Sequence, residues 1–155
     1  LGQAPVADGA PTFDYAPVDA GDVVILPAFG VSIHDFAHLR ALGCVVVDTT
    51  CGSVLNVWKR VDAYARDGFT ALIHGKHHHE ETRATASQVR KYDGHYLVVR
   101  DMAEARLVCE YVEGRPSLRS GQAREAFLAR FAHAASPGFD PDAHLARVGV
   151  ANQTT

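Results

Sequence analysis

The sequence predicts an α/β fold, a mostly parallel sheet with helices on both faces. Short apolar runs alternate along the chain with segments of helical period, the order that parallel crossover connections require. The runs are continuous rather than alternating, as in strands buried on both faces. Turn residues, such as Pro27 with Gly30 and Asp67 with Gly68, close the segments.

Residues 1–21 are rich in Gly, Ala, Pro and Asp, show no period, and are expected as a linker or the tail of a preceding domain. Val23-Val24-Ile25-Leu26 is the first strand. Ser32 is placed to cap a helix that runs to Leu42 and stops at Gly43. Cys44 to Val47 is the second strand, ending at Asp48-Thr49-Thr50. A helix from about Ser53 to Arg66 carries Val54, Leu55, Trp58, Val61 and Ala65 as its core stripe. Phe69 to Ile73 is the third strand, followed by the polar stretch His74 to Thr82 and a short helix toward Gln88. His95 to Val99 is the fourth strand. Asp101 caps a helix to Glu113, with Met102, Ala105, Cys109 and Val112 on its inward face. Residues 118–134 are helical and bury Ala123, Phe127 and Phe131. Ala146 to Val150 is the last short strand. Residues 22–145 are thus expected as one α/β domain, with 146–155 its last strand and the start of a further domain.

The composition bounds the function. The chain has 155 residues, 47% apolar and 21% charged, enough to bury a sizeable core. A net charge of −3 is no footprint for nucleic acid or an anionic membrane surface. No apolar run approaches a membrane span. Three cysteines at wide spacing make no disulfide framework and fit a reducing compartment. The chain begins at Leu1 without an initiator Met and stops after an apolar run, so it is read as a segment of a longer protein.

In open parallel sheets ligands bind beyond the carboxyl ends of the strands. That edge collects Phe29, Thr49-Thr50-Cys51, His74 to Thr82 and Asn152 to Thr155, most of the reactive side chains in the sequence. Cys44 and Cys109 read as small buried hydrophobes. Cys51, between a strand end and a helix start, is placed where free N–H groups favour a thiolate. It reads as a nucleophile, a soft-metal ligand or a packed corner residue. The run His74-Gly75-Lys76-His77-His78-His79-Glu80-Glu81-Thr82 suits metal binding, a solvated loop, or anion binding with proton transfer by Glu81 or Glu80.

Taken together, Val47-Asp48-Thr49-Thr50-Cys51, Ile73-His74-Gly75-Lys76 with His79-Glu80-Glu81-Thr82, and Asn152-Gln153-Thr154-Thr155 resemble the LytB/IspH family, 4-hydroxy-3-methylbut-2-enyl diphosphate reductases of isoprenoid biosynthesis. Leu26-Pro27-Ala28-Phe29-Gly30 is similar to the branch of cyanobacteria and plants. The resemblance implies three α/β domains around a [4Fe–4S] cluster, each supplying one cysteine. Here Cys51 would be one ligand, with the other two outside this segment. It implies that His79 holds the substrate diphosphate, with His74, Lys76 and Thr155 in the same binding set. Glu81 would pass protons to the substrate hydroxyl, and Thr154 would hydrogen-bond both. It further implies a ferredoxin- or flavodoxin-type electron donor, no nucleic-acid or membrane partner, and a bacterial cytoplasmic or plastid stromal setting. The segment alone is expected to be inactive. Phe29 departs from the enterobacterial branch, which has a phosphate-binding histidine there; Lys76 or His74 is expected to supply that contact. Gly52 replaces the proline that many members carry. The alternatives are a Cys/His hydrolase with Cys51 as nucleophile and a non-catalytic anion-binding domain. A phosphatase would carry Arg six residues after the cysteine, and position 57 is Val.

Overall fold

A computed structural model describes residues 13–114 and 121–154. Every strand pair is parallel, but the strands fall in two sheets rather than one. β1 (Val23–Leu26) pairs with β2 (Val45–Asp48), and α1 (Ile33–Leu42) connects them. β3 (Thr70–His74) is the centre of the second sheet, flanked by β4 (Tyr96–Val99) and β5 (Val148–Asn152). The helices between are α2 (Gly52–Arg66), α3 (Glu80–Val89), α4 (Met102–Val112), α5 (Gly121–Arg130) and the one-turn α6 (Pro141–His144).

The second sheet is covered on both faces, as the continuous apolar runs require. On one side Val61 and Ala65 of α2 and Ala86 and Val89 of α3 pack on Ala71, Ile73, Val98 and Ala151. On the other, Val108, Tyr111, Phe127 and Phe131 pack on Leu97 and Val99. The β1–β2 sheet departs from expectation. One face meets α1 through Leu26 and Leu39, together with Tyr15 from the segment expected as a linker. The other face is bare: Val23 is 63% and Ile25 68% exposed, opposite exposed Val45 and Val47 in register. Their apolar run is therefore not the mark of a strand buried twice within this chain.

Local signals set most boundaries. Ser32 caps α1 by accepting from the Asp35 N–H, and its hydroxyl donates back to the Asp35 carboxylate. Gly43 ends α1 at φ 77°, a conformation open to glycine. Asp101 caps α4 through the N–H groups of Ala103 and Glu104. β5 starts two residues later than expected, and α5 begins where the description resumes after residues 115–120, so the expected start at 118 lies outside the described residues.

The inward face of α4 is a correction. Met102 is 68% exposed and Val112 and Cys109 are exposed, while Glu104, Val108 and Tyr111 point inward. Partners decide the phase. Glu104 accepts the Arg100 N–H at 2.7 Å and pairs with the Arg130 guanidinium at 3.1 Å. Tyr111 packs on Phe127 at 4.6 Å between ring centroids and donates to Asp142 at 2.7 Å. Both polar tips are satisfied, so both residues can be buried. On α2, Leu55, expected in the core stripe, is likewise exposed.

Candidate functional site

The carboxyl ends of β2, β3 and β5 carry the candidate residues. Cys51 is the N-cap of α2 and its thiol is exposed. Its own N–H donates to the Ala28 carbonyl at 2.8 Å, which ties this turn to the one after β1. The backbone N–H of Ser53, then its hydroxyl, and the N–H of Val54 pull the thiol pKa below its ordinary value; Glu81 opposes them. Cys44 is buried, as expected, with its thiol donating to the Leu39 carbonyl.

β3 runs into the loop His74 to His79, and His79 caps α3. Its Nδ1 accepts from the Glu81 N–H at 3.2 Å. An accepting Nδ1 is unprotonated, which leaves Nε2 as the donor of the neutral ring. The Phe29 ring stands edge-on to this imidazole at 6.3 Å. Glu81 is 1% exposed, and its Oε1 accepts both the N–H of Thr154 at 2.5 Å and its hydroxyl at 2.7 Å. Residues 73 positions apart thus meet because β5 pairs with β3 along their full length.

Gln153 was expected on this edge only as part of the run Asn152 to Thr155, with no role of its own, yet it fastens the loop. Its N–H donates to the His74 carbonyl at 2.8 Å. Its Oε1 accepts from the Lys76 N–H at 3.1 Å and the Thr82 hydroxyl at 2.9 Å. A side chain at Gly75 would place a carbon 2.8 Å from both Gln153 Oε1 and Thr82 Oγ1, so the clip needs glycine there. The available signal was Gly75 itself, set between His74 and Lys76 directly after a strand.

The side chains of His74 and Lys76 are exposed at this edge, and Thr155 lies outside the described residues. His77 and His78 line a cleft of about 210 Å³ with Arg100, Arg130 and His133, whose walls do not include Glu81 or Thr154. Burial first, then His78 and His133, lower the His77 pKa. Among the described residues no three His, Cys, Asp or Glu side chains converge where they could hold a metal ion. Cys51 alone can furnish one thiolate to a centre completed from elsewhere; its exposure and lowered pKa fit that part.

The class that fold and edge define is a parallel α/β unit with a thiolate-favouring cysteine, a buried carboxylate–threonine pair and a helix-capping histidine on one edge. The family model described as LytB protein matches residues 6–155, and the chain belongs to that family. Curated relatives named 4-hydroxy-3-methylbut-2-enyl diphosphate reductase match it throughout. That of Synechococcus sp. strain RCC307 is 52% identical over 151 residues, 97% of this chain and 34% of the relative. That of Gloeobacter violaceus is 53% identical over 142 residues, 92% of this chain and 32% of the relative. The chain therefore spans about a third of the length of these relatives. A solved structure titled (E)-4-hydroxy-3-methyl-but-2-enyl diphosphate reductase, the terminal enzyme of the non-mevalonate pathway, matches with a TM-score of 0.59 at 20% identity. The match covers 91% of this chain and 48% of that one, a likeness of fold. Among the described residues no helix is long and apolar enough to cross a membrane.

Proposed function

We propose that this chain is the central portion of a 4-hydroxy-3-methylbut-2-enyl diphosphate reductase, which forms isopentenyl and dimethylallyl diphosphate. The observation that carries this reading is the buried Glu81 carboxylate joined to Thr154 on the edge that also carries Cys51 and His79. The reaction consumes two electrons and two protons; the allylic C–O bond breaks, the hydroxyl leaves as water, and a carbon of the allyl unit gains hydrogen. In this reading Cys51 is one ligand of a [4Fe–4S] cluster whose other cysteines lie in the rest of the protein. When bound, the cluster supplies the electrons, delivered by a ferredoxin- or flavodoxin-type donor, in bacterial cytoplasm or plastid stroma.

The chain's own residues do the remaining work. The His79 Nε2–H, with Lys76, His74 and Thr155, holds the diphosphate in charge-assisted contacts. Thr154 both donates and accepts, so it relays a proton between Glu81 and the leaving hydroxyl. Its backbone N–H stays on Glu81 Oε1 and keeps the carboxyl in place through the transfer. Lys76 and His74, exposed on the same loop, supply the phosphate contact that Phe29 cannot make.

In the longer protein, Glu81→Gln keeps the shape and the Thr154 contact but carries no transferable proton. It is expected to leave substrate affinity intact and cut turnover by ~10²–10⁴-fold. Cys51→Ser is expected to lose iron and all activity together. Normal turnover by the first variant, or a full iron content in the second, refutes these roles.

A further inference from the structure

Three stretches of chain bring basic side chains to the cleft of about 210 Å³ beside the β3–α3 loop. Lys76, His77 and His78 enter it from that loop, Arg100 from just beyond β4, Arg130 from the end of α5 and His133 from the turn behind it. Among the described residues, Glu104 is the one acidic residue on its walls. It is buried and spans both guanidiniums, Arg100 at 3.5 Å and Arg130 at 3.1 Å, while Asp101, which is not on the walls, holds the Arg100 Nε at 3.1 Å. A guanidinium carries several N–H donors in a fixed fork, so these pairings orient each fork and leave donors over. Buried Val98 and Phe131 complete the walls, and apolar surroundings strengthen interactions between charges. The His77 and His78 rings meet edge to face at 5.2 Å. Burial first, then His78 and His133, and also Arg100, disfavour the charged form of His77, and Glu104 opposes them. Cations gathered in one concavity repel one another, and an anion among them removes that cost.

We propose that this cleft binds a small dianionic oxyanion of phosphate size, held by the guanidinium donors of Arg100 and Arg130 and by the ring N–H groups of His77, His78 and His133. The volume lies below that of pockets for drug-sized molecules, which suits a compact anion. His79, Glu81 and Thr154 are not on its walls, so the site is separate from the one proposed for the substrate and does not rest on the reductase reading. Lys76 is common to the two and stays unchanged in the test. An imidazole donates from both nitrogens only when protonated, so acid strengthens the site.

The intact protein, without substrate or reductant, is titrated calorimetrically with sulfate at constant ionic strength. Sulfate serves as the probe because it is a dianion at neutral and mildly acidic pH alike, so any pH dependence belongs to the protein. Saturable binding is expected, tighter at about pH 6 than at about pH 8. Arg130→Gln is expected to weaken it about tenfold or more, through the loss of a charge-assisted contact. That variant also unpairs one side of Glu104, so the exposed His133→Gln is the second test. It is expected to weaken binding about threefold to tenfold and to flatten the pH dependence. His79→Asn, which alters the other site, is expected to bind sulfate as the parent does. No saturable binding overturns the proposal, as when a carboxylate from elsewhere in the protein already fills the cleft. So does affinity unchanged in His133→Gln, or binding that His79→Asn abolishes, which would put the anion at the His79 edge. None of these outcomes bears on the turnover of Glu81→Gln or the iron content of Cys51→Ser.

Discussion

His79 serves two masters at the residue scale. Its Nδ1 caps α3, and in the proposed function its Nε2–H holds phosphate. The two parts separate by substitution. Asparagine is among the best N-caps, so His79→Asn is expected to keep the stability within about 0.5 kcal/mol of the parent while weakening substrate binding. His79→Ala loses the cap as well and is expected to cost about 1 kcal/mol of stability beyond the same loss of affinity. Thermal melts beside substrate titrations of the two variants check this; equal stability would deny the capping role. That Cys51, His79, Glu81 and Thr154 share one edge was legible in the sequence because each sits just beyond a strand or at a helix start; the roles expected of them came from the family resemblance. The part Gln153 plays was not, because a glutamine announces nothing until the carbonyl and hydroxyl it joins are known to be near.

At the scale of elements, helix and strand types were legible from period and caps, while the inward face of α4 was not. Periodicity gives the spacing of a stripe, and Met102-Ala105-Cys109-Val112 satisfies it as well as Glu104-Val108-Tyr111 does. The choice was made by Arg130 and Asp142, which reach Glu104 and Tyr111 from other elements. The corner of α6 against β4 carries a pH dependence of its own. The His95 and His144 rings stack at 3.6 Å, His95 Nδ1 meets the Ser136 hydroxyl, and His144 Nδ1 accepts the Asp140 N–H. Burial, then His144 and Arg90, lower the His95 pKa. A histidine whose folded pKa lies below its unfolded value binds fewer protons folded than unfolded. Its contribution is therefore whole above about pH 6.5 and is lost as pH falls through the folded value. Melting temperature is expected to drop on acidification below about pH 6.5, and His95→Gln to flatten that slope. An unchanged slope in the variant would assign the titration elsewhere.

On the scale of the whole molecule, the bare face of β1–β2 is the informative feature. Val23 with Val45 and Ile25 with Val47 present paired apolar side chains on one side of a two-stranded sheet. Sheets of two strands are marginal by themselves, and exposed contiguous apolar surface marks a contact. As the central portion of a longer enzyme, the chain would have that face covered by neighbouring structure. Cut free, it is expected to bind an apolar dye, and Ile25→Lys with Val45→Lys is expected to reduce that binding without unfolding it. In the proposed function the free segment offers one of three cluster cysteines, so reconstitution is expected to leave it without stoichiometric iron and sulfide. A stable cluster on the isolated monomer would contradict the proposed division of ligands.

The central place of β3 also has a temporal consequence. A chain emerging from the ribosome completes β3, β4 and α3 well before β5 exists, so the Glu81 carboxylate spends that interval without the Thr154 donors, and the His74–His79 loop without its Gln153 clip. Contacts of such long sequence separation close late, after the entropy of the intervening loop has been overcome. The edge that carries Glu81 and Thr154 is therefore the last part of this unit to mature, and a nascent chain stalled before Val148 would hold a folded half-sheet in which that edge is not yet assembled.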